Sequence, residues 1–162
     1  MRNPWNDYVL PRMTERLLDN RTVADYRTRA ASNLTGEVVE IGFGSGLNVP
    51  VYPEGVTKVV AVEPSLTARK LARERVEASN IPIEFSGLDG QHLPLPDASA
   101  DSALSTFTLC TIPDAGQALA ELHRVLKPGG TFGFVEHGLS PDPAIRRWQN
   151  RLNTTQQLIA GG

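Results

Sequence analysis

Five short apolar runs alternate with amphipathic stretches along this chain, and the alternation predicts an α/β fold: a mainly parallel sheet with helices on both faces. Two details strengthen that reading. The first apolar run enters a glycine-rich turn, VVEIGFGSG, and the second ends on an acidic residue, VVAVEP, about 20 positions after the first glycine. A length of 162 residues suits one such unit with a buried core.

Residues 1–11 read as irregular, with Pro4 and Pro11 as breakers. Residues 12–33 read as one or two helices, since Leu17, Leu18, Val23, Ala24, Tyr26 and Ala30 recur at roughly helical spacing. Residues 1–35 thus form a helical cap ahead of a ligand-binding domain at 36–162. The first strand is expected at 37–41, with a short helix from about Leu47. TKVVAVEP is the second strand, ending at Glu63, and Ser65 caps a helix through about Ala78.

IPIEFSG and SADSALSTF are the third and fourth strands, separated by the proline-rich loop LDGQHLPLPDA. Asp114 caps a helix over 115–126, whose inner face is Leu119, Leu122, Val125 and Leu126. KPGG stops it, because Pro128 cannot continue a helix and Gly129 accepts positive φ. TFGFVEH is the fifth strand, and DPAIRRWQNRLNTTQQLI is a final amphipathic helix. The architecture is a three-layer, Rossmann-like α/β/α fold with a mainly parallel sheet of about five strands.

Composition excludes several function classes. A net charge of −2 gives no electrostatic reason to expect nucleic acid or an anionic membrane. The single cysteine, Cys110, leaves no internal disulfide and no cysteine cluster for zinc, so no metal site is read. No run approaches the roughly 18 apolar residues of a membrane span, and the N-terminus has no apolar leader core; a cytoplasmic location is expected.

In parallel sheets the ligand sits beyond the carboxyl ends of the strands. The residues there are Glu40–Gly46, Glu63, Asp89, Thr106–Cys110 and Glu136–His137. The loop Gly42-Phe-Gly44-Ser-Gly46 lacks the third glycine of a dinucleotide fingerprint, because Leu47 stands there. Glu40 beside the loop repels a pyrophosphate and suits an ammonium or sulfonium group. Glu63 is placed to accept hydrogen bonds from ribose hydroxyls, and Asp89 to meet an adenine edge. An adenosine with a cationic amino-acid tail and no phosphate is S-adenosylmethionine.

The sequence resembles the class I S-adenosylmethionine-dependent methyltransferases over about residues 36–137. EIGFGSG is similar to their first motif, VVAVEPS to the second-strand motif, GLDGQHLPLPDASAD to their third segment, and ELHRVLKPGGTFGFVEH to the helix, turn and fifth strand near their end. The stretches YVLPR, GLNVPVY and FVEH look most like a subgroup of small-molecule methyltransferases that includes thiol methyltransferases. The resemblance implies methyl transfer to a small, partly apolar molecule by in-line displacement. It implies cofactor contacts from Glu40, Gly42, Gly44, Gly46, Asn48, Glu63, Pro64, Asp89, Gly90, Thr106 and Phe107. Asn48 either caps the short helix or touches the methionine end. His137, at the end of the fifth strand, is the candidate for assisting catalysis.

The alternative is a non-catalytic S-adenosylmethionine-binding or assembly module. A nicotinamide dehydrogenase is opposed by Leu47 and Glu40. Leu88 departs from the family pattern, which has glycine before the aspartate. The family's last two strands form a hairpin after the final helix, and this sequence stops at IAGG, so a shortened or truncated chain is expected. TFGFVEH is then an edge strand, which predicts a homodimer across it or a cover made by residues 138–162.

Overall fold

Strands form where the apolar runs predict them, and their pairing fixes the position of every loop discussed below. The computed structural model describes residues 5–138, 140–147 and 149. Two helices, α1 (Leu10–Leu18) and α2 (Arg21–Ala31), precede a sheet of β1 (Gly36–Ile41), β2 (Val56–Val62), β3 (Ile83–Phe85), β4 (Ala100–Thr106) and β5 (Leu126–Val135). Helix α3 (Leu66–Glu77) follows β2 and helix α4 (Ala115–Val125) precedes β5. The strand order is β3-β2-β1-β4-β5, and every neighbouring pair is parallel. The chain runs outward from β1 through β2 to β3, then restarts at β4 on the other side. The switch point therefore lies between the carboxyl ends of β1 and β4.

Side chains alternate across the sheet and feed two cores. Val39, Ile41, Val60, Val62 and Ala103 pack with Ala118, Leu122 and Val125 of α4. Val38, Val59, Ala61 and Leu104 pack on the opposite face with Ala31 of α2 and Ala72 of α3. The helix caps follow sequence chemistry: Ser65 Oγ accepts from Ala68 N at 3.2 Å, and Asp114 Oδ1 accepts from Gln117 N at 2.9 Å.

Several local expectations need correction. Residues 5–11 are helical rather than irregular, with a π-helical turn at Trp5–Val9 leading into α1. Pro11 does not break α1 because it sits in the first turn, where its missing N–H has no intrahelical partner to lose. Leu17 and Tyr26 face outward. Helix α4 stops at Val125, and its buried stripe is Ala118, Leu122 and Val125, which leaves Leu119 exposed. Leu126 already pairs with Ala100, and the next aligned pair is Ser102 with Thr131. KPGG is thus an irregularity inside β5, with Gly129 at φ 82°, rather than a turn ahead of it.

Helix α2 lies very close to β5: a Cβ on Gly133 would stand 2.1 Å from the Ala30 carbonyl oxygen. Among the described residues β5 is an edge strand, and Phe134 is 60% exposed on it. The expected cover from residues 138–162 falls in large part outside the described residues, as does Trp148.

Candidate active site

The carboxyl ends of β1, β2 and β4, together with α1, enclose a cavity of about 430 Å³. That is within the usual range for small-molecule sites, and it lies at the switch point. Eight sequence-selected residues line it: Gly42, Gly44, Glu63, Pro64, Asp89, Gly90, Thr106 and Phe107. Four others, Glu40, Gly46, Asn48 and His137, do not.

The glycines do different jobs. A Cβ on Gly42 would stand 2.0 Å from Thr108 Oγ1, so that position is closed by packing. A Cβ on Gly44 would meet nothing nearer than the Gly42 carbonyl oxygen at 3.8 Å, so that position opens onto the cavity. Gly44 has φ 60°, where a side chain is strained as well.

Glu63 ends β2 and is 6% exposed. Its Oε2 accepts from Gly44 N at 2.8 Å and its Oε1 from Ser65 N at 2.7 Å. Burial raises its pKa, and these two backbone donors oppose the rise. Each oxygen keeps a further lone pair for a ligand hydroxyl. Asp89 accepts from Gln91 N at 2.8 Å and contacts His92 Nδ1 at 3.1 Å, which holds its carboxyl below the usual range, with the Gln91 backbone bond the largest cause. His92 itself is exposed.

At the end of β4, Phe107 adopts φ 55°, an uncommon conformation for a non-glycine residue. The turn beyond it is held by Glu136 Oε1, which accepts from Thr108 N at 2.9 Å and Leu109 N at 3.0 Å. The exposed His137 stacks obliquely on Phe107 at 4.9 Å between ring centroids, behind the cavity wall. Cys110 is exposed. Partial shielding of its sulfur, with Glu136 nearby, pushes its pKa up, so it is not a poised thiolate.

Glu40 is the main correction. It is fully buried and points away from the cavity, because it shares the sheet face of Val38, the face covered by α2. Its carboxylate accepts from Asn48 Nδ2 at 2.8 Å and from the Tyr52 hydroxyl. Asn48 neither caps the short helical turn at Val49–Val51 nor lines the cavity; it joins Glu40 to Arg27 and Thr106. Burial pushes the Glu40 pKa up to about 7, against the pull of Tyr52, Asn48 and Arg27.

That shift has a defined sign. Between its ordinary 4.5 and about 7, Glu40 holds a proton in the folded state and not in the unfolded state. Its contribution is therefore fully present below 4.5 and is lost as pH rises through about 7. At 1.36 kcal/mol per unit, the whole window amounts to about 3 kcal/mol. Urea titrations from pH 5 to 8 should show the stability of the wild type falling relative to Glu40→Gln as pH rises. Parallel curves would show that Glu40 stays ionised throughout.

The sequence reading missed Arg27 altogether. This arginine of α2 is 5% exposed, lines the cavity, and donates through Nη1 to Asn48 Oδ1 at 2.9 Å and Thr106 Oγ1 at 2.6 Å. The available signal was its place on the apolar stripe with Val23 and Ala31, where a solvated arginine does not belong. Arg75 was missed too: its Nη1 donates to Glu15 Oε1 at 2.9 Å and Ser45 O at 3.0 Å, tying α1 to α3 and the glycine loop. Leu10, Pro11, Thr14 and Leu18 of α1 complete the apolar wall. Among the described residues no helix is long and apolar enough to cross a membrane.

The residues present fit a nucleoside with an amino-acid tail: an open glycine position beside the cavity, a buried carboxylate at the second strand end, and no glycine at Leu47. Residues 39–134 match the methyltransferase domain family. The chain is similar to thiol S-methyltransferase TMT1B of Rattus norvegicus, 34% identical over 129 residues, covering 77% of this chain and 52% of that protein. It is similar to thiol S-methyltransferase TMT1A of Homo sapiens, 31% identical over 170 residues, covering 98% and 68%. It thus spans about half to two thirds of the length of these relatives. The crystal structure of the YcgJ protein from Bacillus subtilis has the same fold, with a TM-score of 0.68 at 24% identity over 82% of this chain and 58% of that one. The fold, the site and these likenesses together assign the chain to the class I S-adenosylmethionine-dependent methyltransferases, with S-adenosylmethionine as cofactor.

Proposed function

We propose that this chain transfers a methyl group to a small, partly apolar acceptor, and that the acceptor atom is a thiol sulfur. The observation that carries the choice of acceptor is the state of the cavity's carboxylates. Glu15 is paired with Arg75, Glu63 accepts from Gly44 and Ser65, and Asp89 accepts from Gln91 and contacts His92. Each is already committed to holding a loop or helix, so none is a free general base. A thiol suits such a site, because with a pKa near 8.5 it supplies some thiolate at neutral pH unaided. The likeness to proteins named thiol S-methyltransferases supports the same class.

The roles divide along the cavity. Glu63 accepts from the ribose hydroxyls with its remaining lone pairs, beside Pro64. Asp89 and Gly90 flank the adenine, and Gly44 leaves room for the amino-acid end. Thr106 and Phe107 close the far side, while Leu10, Pro11 and Leu18 of α1 offer the apolar face for the acceptor. When bound, the cofactor supplies an electrophilic methyl on a sulfonium: the acceptor sulfur forms the new bond to that carbon as the old carbon–sulfur bond breaks, and the thiol proton goes to water. The chain's own part is proximity, alignment and exclusion of water.

A panel of alkyl thiols, phenols and amines, each incubated with the protein and S-adenosylmethionine, tests the reading. S-methyl products are expected, with a rate that rises through the pKa of the thiol used. Methylation of a phenol or amine but no thiol would overturn the acceptor class. S-adenosylhomocysteine binding without any transfer would favour the non-catalytic module.

A further inference from the structure

We propose, on the cofactor reading above, that Glu121 and Arg124 of α4 are positioning residues for base recognition: they hold residues 88–98 so that Asp89 meets the adenine edge. Neither residue lines the cavity, so both act through the loop alone.

The loop after β3 is fastened from outside. Pro94 and Pro96 supply no N–H donor, and they bias Leu93 and Leu95 toward extended backbone, which has no local hydrogen-bond ladder. Ala98, at the far end, takes φ 50°, an uncommon conformation for a residue with a Cβ. The first part, residues 88–91, faces the cavity. The part from Leu93 onward is where α4 grips.

Arg124 uses every donor it has. Nη1 donates to Leu95 O at 2.8 Å and to Asp97 Oδ1 at 2.7 Å. Nη2 donates to Leu93 O at 3.0 Å and to Glu121 Oε2 at 2.7 Å, and Nε donates to Glu121 Oε1 at 2.7 Å. Glu121 Oε2 in turn accepts from Leu93 N at 2.8 Å. The pair therefore holds both backbone groups of Leu93, whose side chain is buried in the same core as Leu122 and Val125. Arg124 and the Leu93 amide keep the Glu121 carboxyl down at about 2, so the pair stays charged. The α4 backbone adds two bonds, from Ala98 N to Arg124 O at 2.9 Å and from Ser99 N to Val125 O at 2.8 Å.

The other end of the loop is gripped as well. Gln91 holds Asp89 Oδ1 through its N–H, while its own side-chain oxygen accepts from Asp114 N at 3.0 Å, at the start of α4. Helix α4 is thus a template along which the loop is laid, and Asp89 lies on the segment beside these attachments. An isolated surface ion pair contributes little. Here the fork of Arg124 fixes three consecutive turns of an irregular chain, and a planar fork does this at low entropic cost. Glu121 and Arg124 of the stretch ELHRVLKPGG thereby act on a ligand they do not touch.

The test compares two ligands by calorimetry: S-adenosylhomocysteine and S-inosylhomocysteine, which carries a carbonyl where adenine carries its amino group. The wild type should prefer the adenine ligand by roughly 30-fold, the effect of one charge-assisted hydrogen bond to Asp89. Arg124→Met should reduce that preference to less than about 5-fold, with the inosine ligand binding nearly as in the wild type. Arg124→Lys, which keeps the charge but loses the fork, should recover only part of the preference. Because the readout is a ratio within one protein, a general loss of stability does not mimic it. Should Arg124→Met not fold, Glu121→Gln decides: one of its oxygens is replaced by a donor that faces either Leu93 N or Arg124, and the preference should drop several-fold. Equal weakening of both ligands, or an undiminished preference in the variant that folds, would overturn the proposal while leaving the cofactor site standing. A wild type that binds both ligands equally would overturn it too, by removing Asp89 from base recognition. A wild type that binds neither would sink the cofactor site itself.

Discussion

Glu63→Ala is expected to weaken S-adenosylhomocysteine binding by about 2 to 3 kcal/mol, or roughly 30- to 150-fold. The carboxylate has two tasks that the substitution ends together. It would lose the bonds to the ribose hydroxyls, each charge-assisted. It would also release Gly44 N and Ser65 N, which it now holds at 2.8 and 2.7 Å, so the loop lining the cavity would loosen before any ligand arrives. Glu63→Gln should be nearly as harmful, because one amide nitrogen would then face a backbone N–H donor. Calorimetric titration of both variants reads the effect directly. Unchanged affinity in Glu63→Ala would remove this residue from the site.

Gly44→Val should abolish measurable binding, a loss of more than about 100-fold, while the protein still unfolds cooperatively. The structure separates these two consequences. The nearest contact of a methyl placed at Gly44 would be the Gly42 carbonyl oxygen, 3.8 Å away, so the added side chain projects into the cavity instead of into the core. The left-handed φ of 60° adds strain of about 1–2 kcal/mol, which lowers the melting temperature without unfolding the chain. The neighbouring Gly42→Ala provides the contrast. Its Cβ would collide with Thr108, so its main cost falls on folding. Retained affinity in Gly44→Val would show that no ligand passes over this loop.

Much of this fold is legible in the sequence because its signals are local. Apolar runs of strand length, the caps Ser65 and Asp114, and the glycine turn after β1 each specify their own conformation within a few residues. Glu63 and Asp89 could be placed because strand ends in a parallel sheet converge on one edge. What the sequence hides depends on partners distant in the chain. Arg27 meets Thr106 across 79 positions, and nothing near it in sequence announces that contact. Glu40 was misplaced because adjacency to the glycine loop was read as facing the ligand, while the two-residue period of a strand turns it to the other side. The place of KPGG within β5 depends on the register of β4, which is a tertiary property.

Helix α1 forms one wall of the cavity, yet it contributes no fully buried residue to either core. Its polar tether is Arg75, through Glu15 and, at 3.4 Å, Asp19. The free energy of detaching such a segment is small compared with that of unfolding the sheet. Occupancy and cap closure are consequently linked quantities: a ligand that touches Leu10, Pro11 or Leu18 contributes to docking the helix, and by reciprocity any change that frays the helix is felt as weaker binding. Substitutions on the outer face of α1, far from any reacting atom, thereby register as changes in affinity, and an apparent dissociation constant for this protein is partly a measure of how well its first helix is fastened.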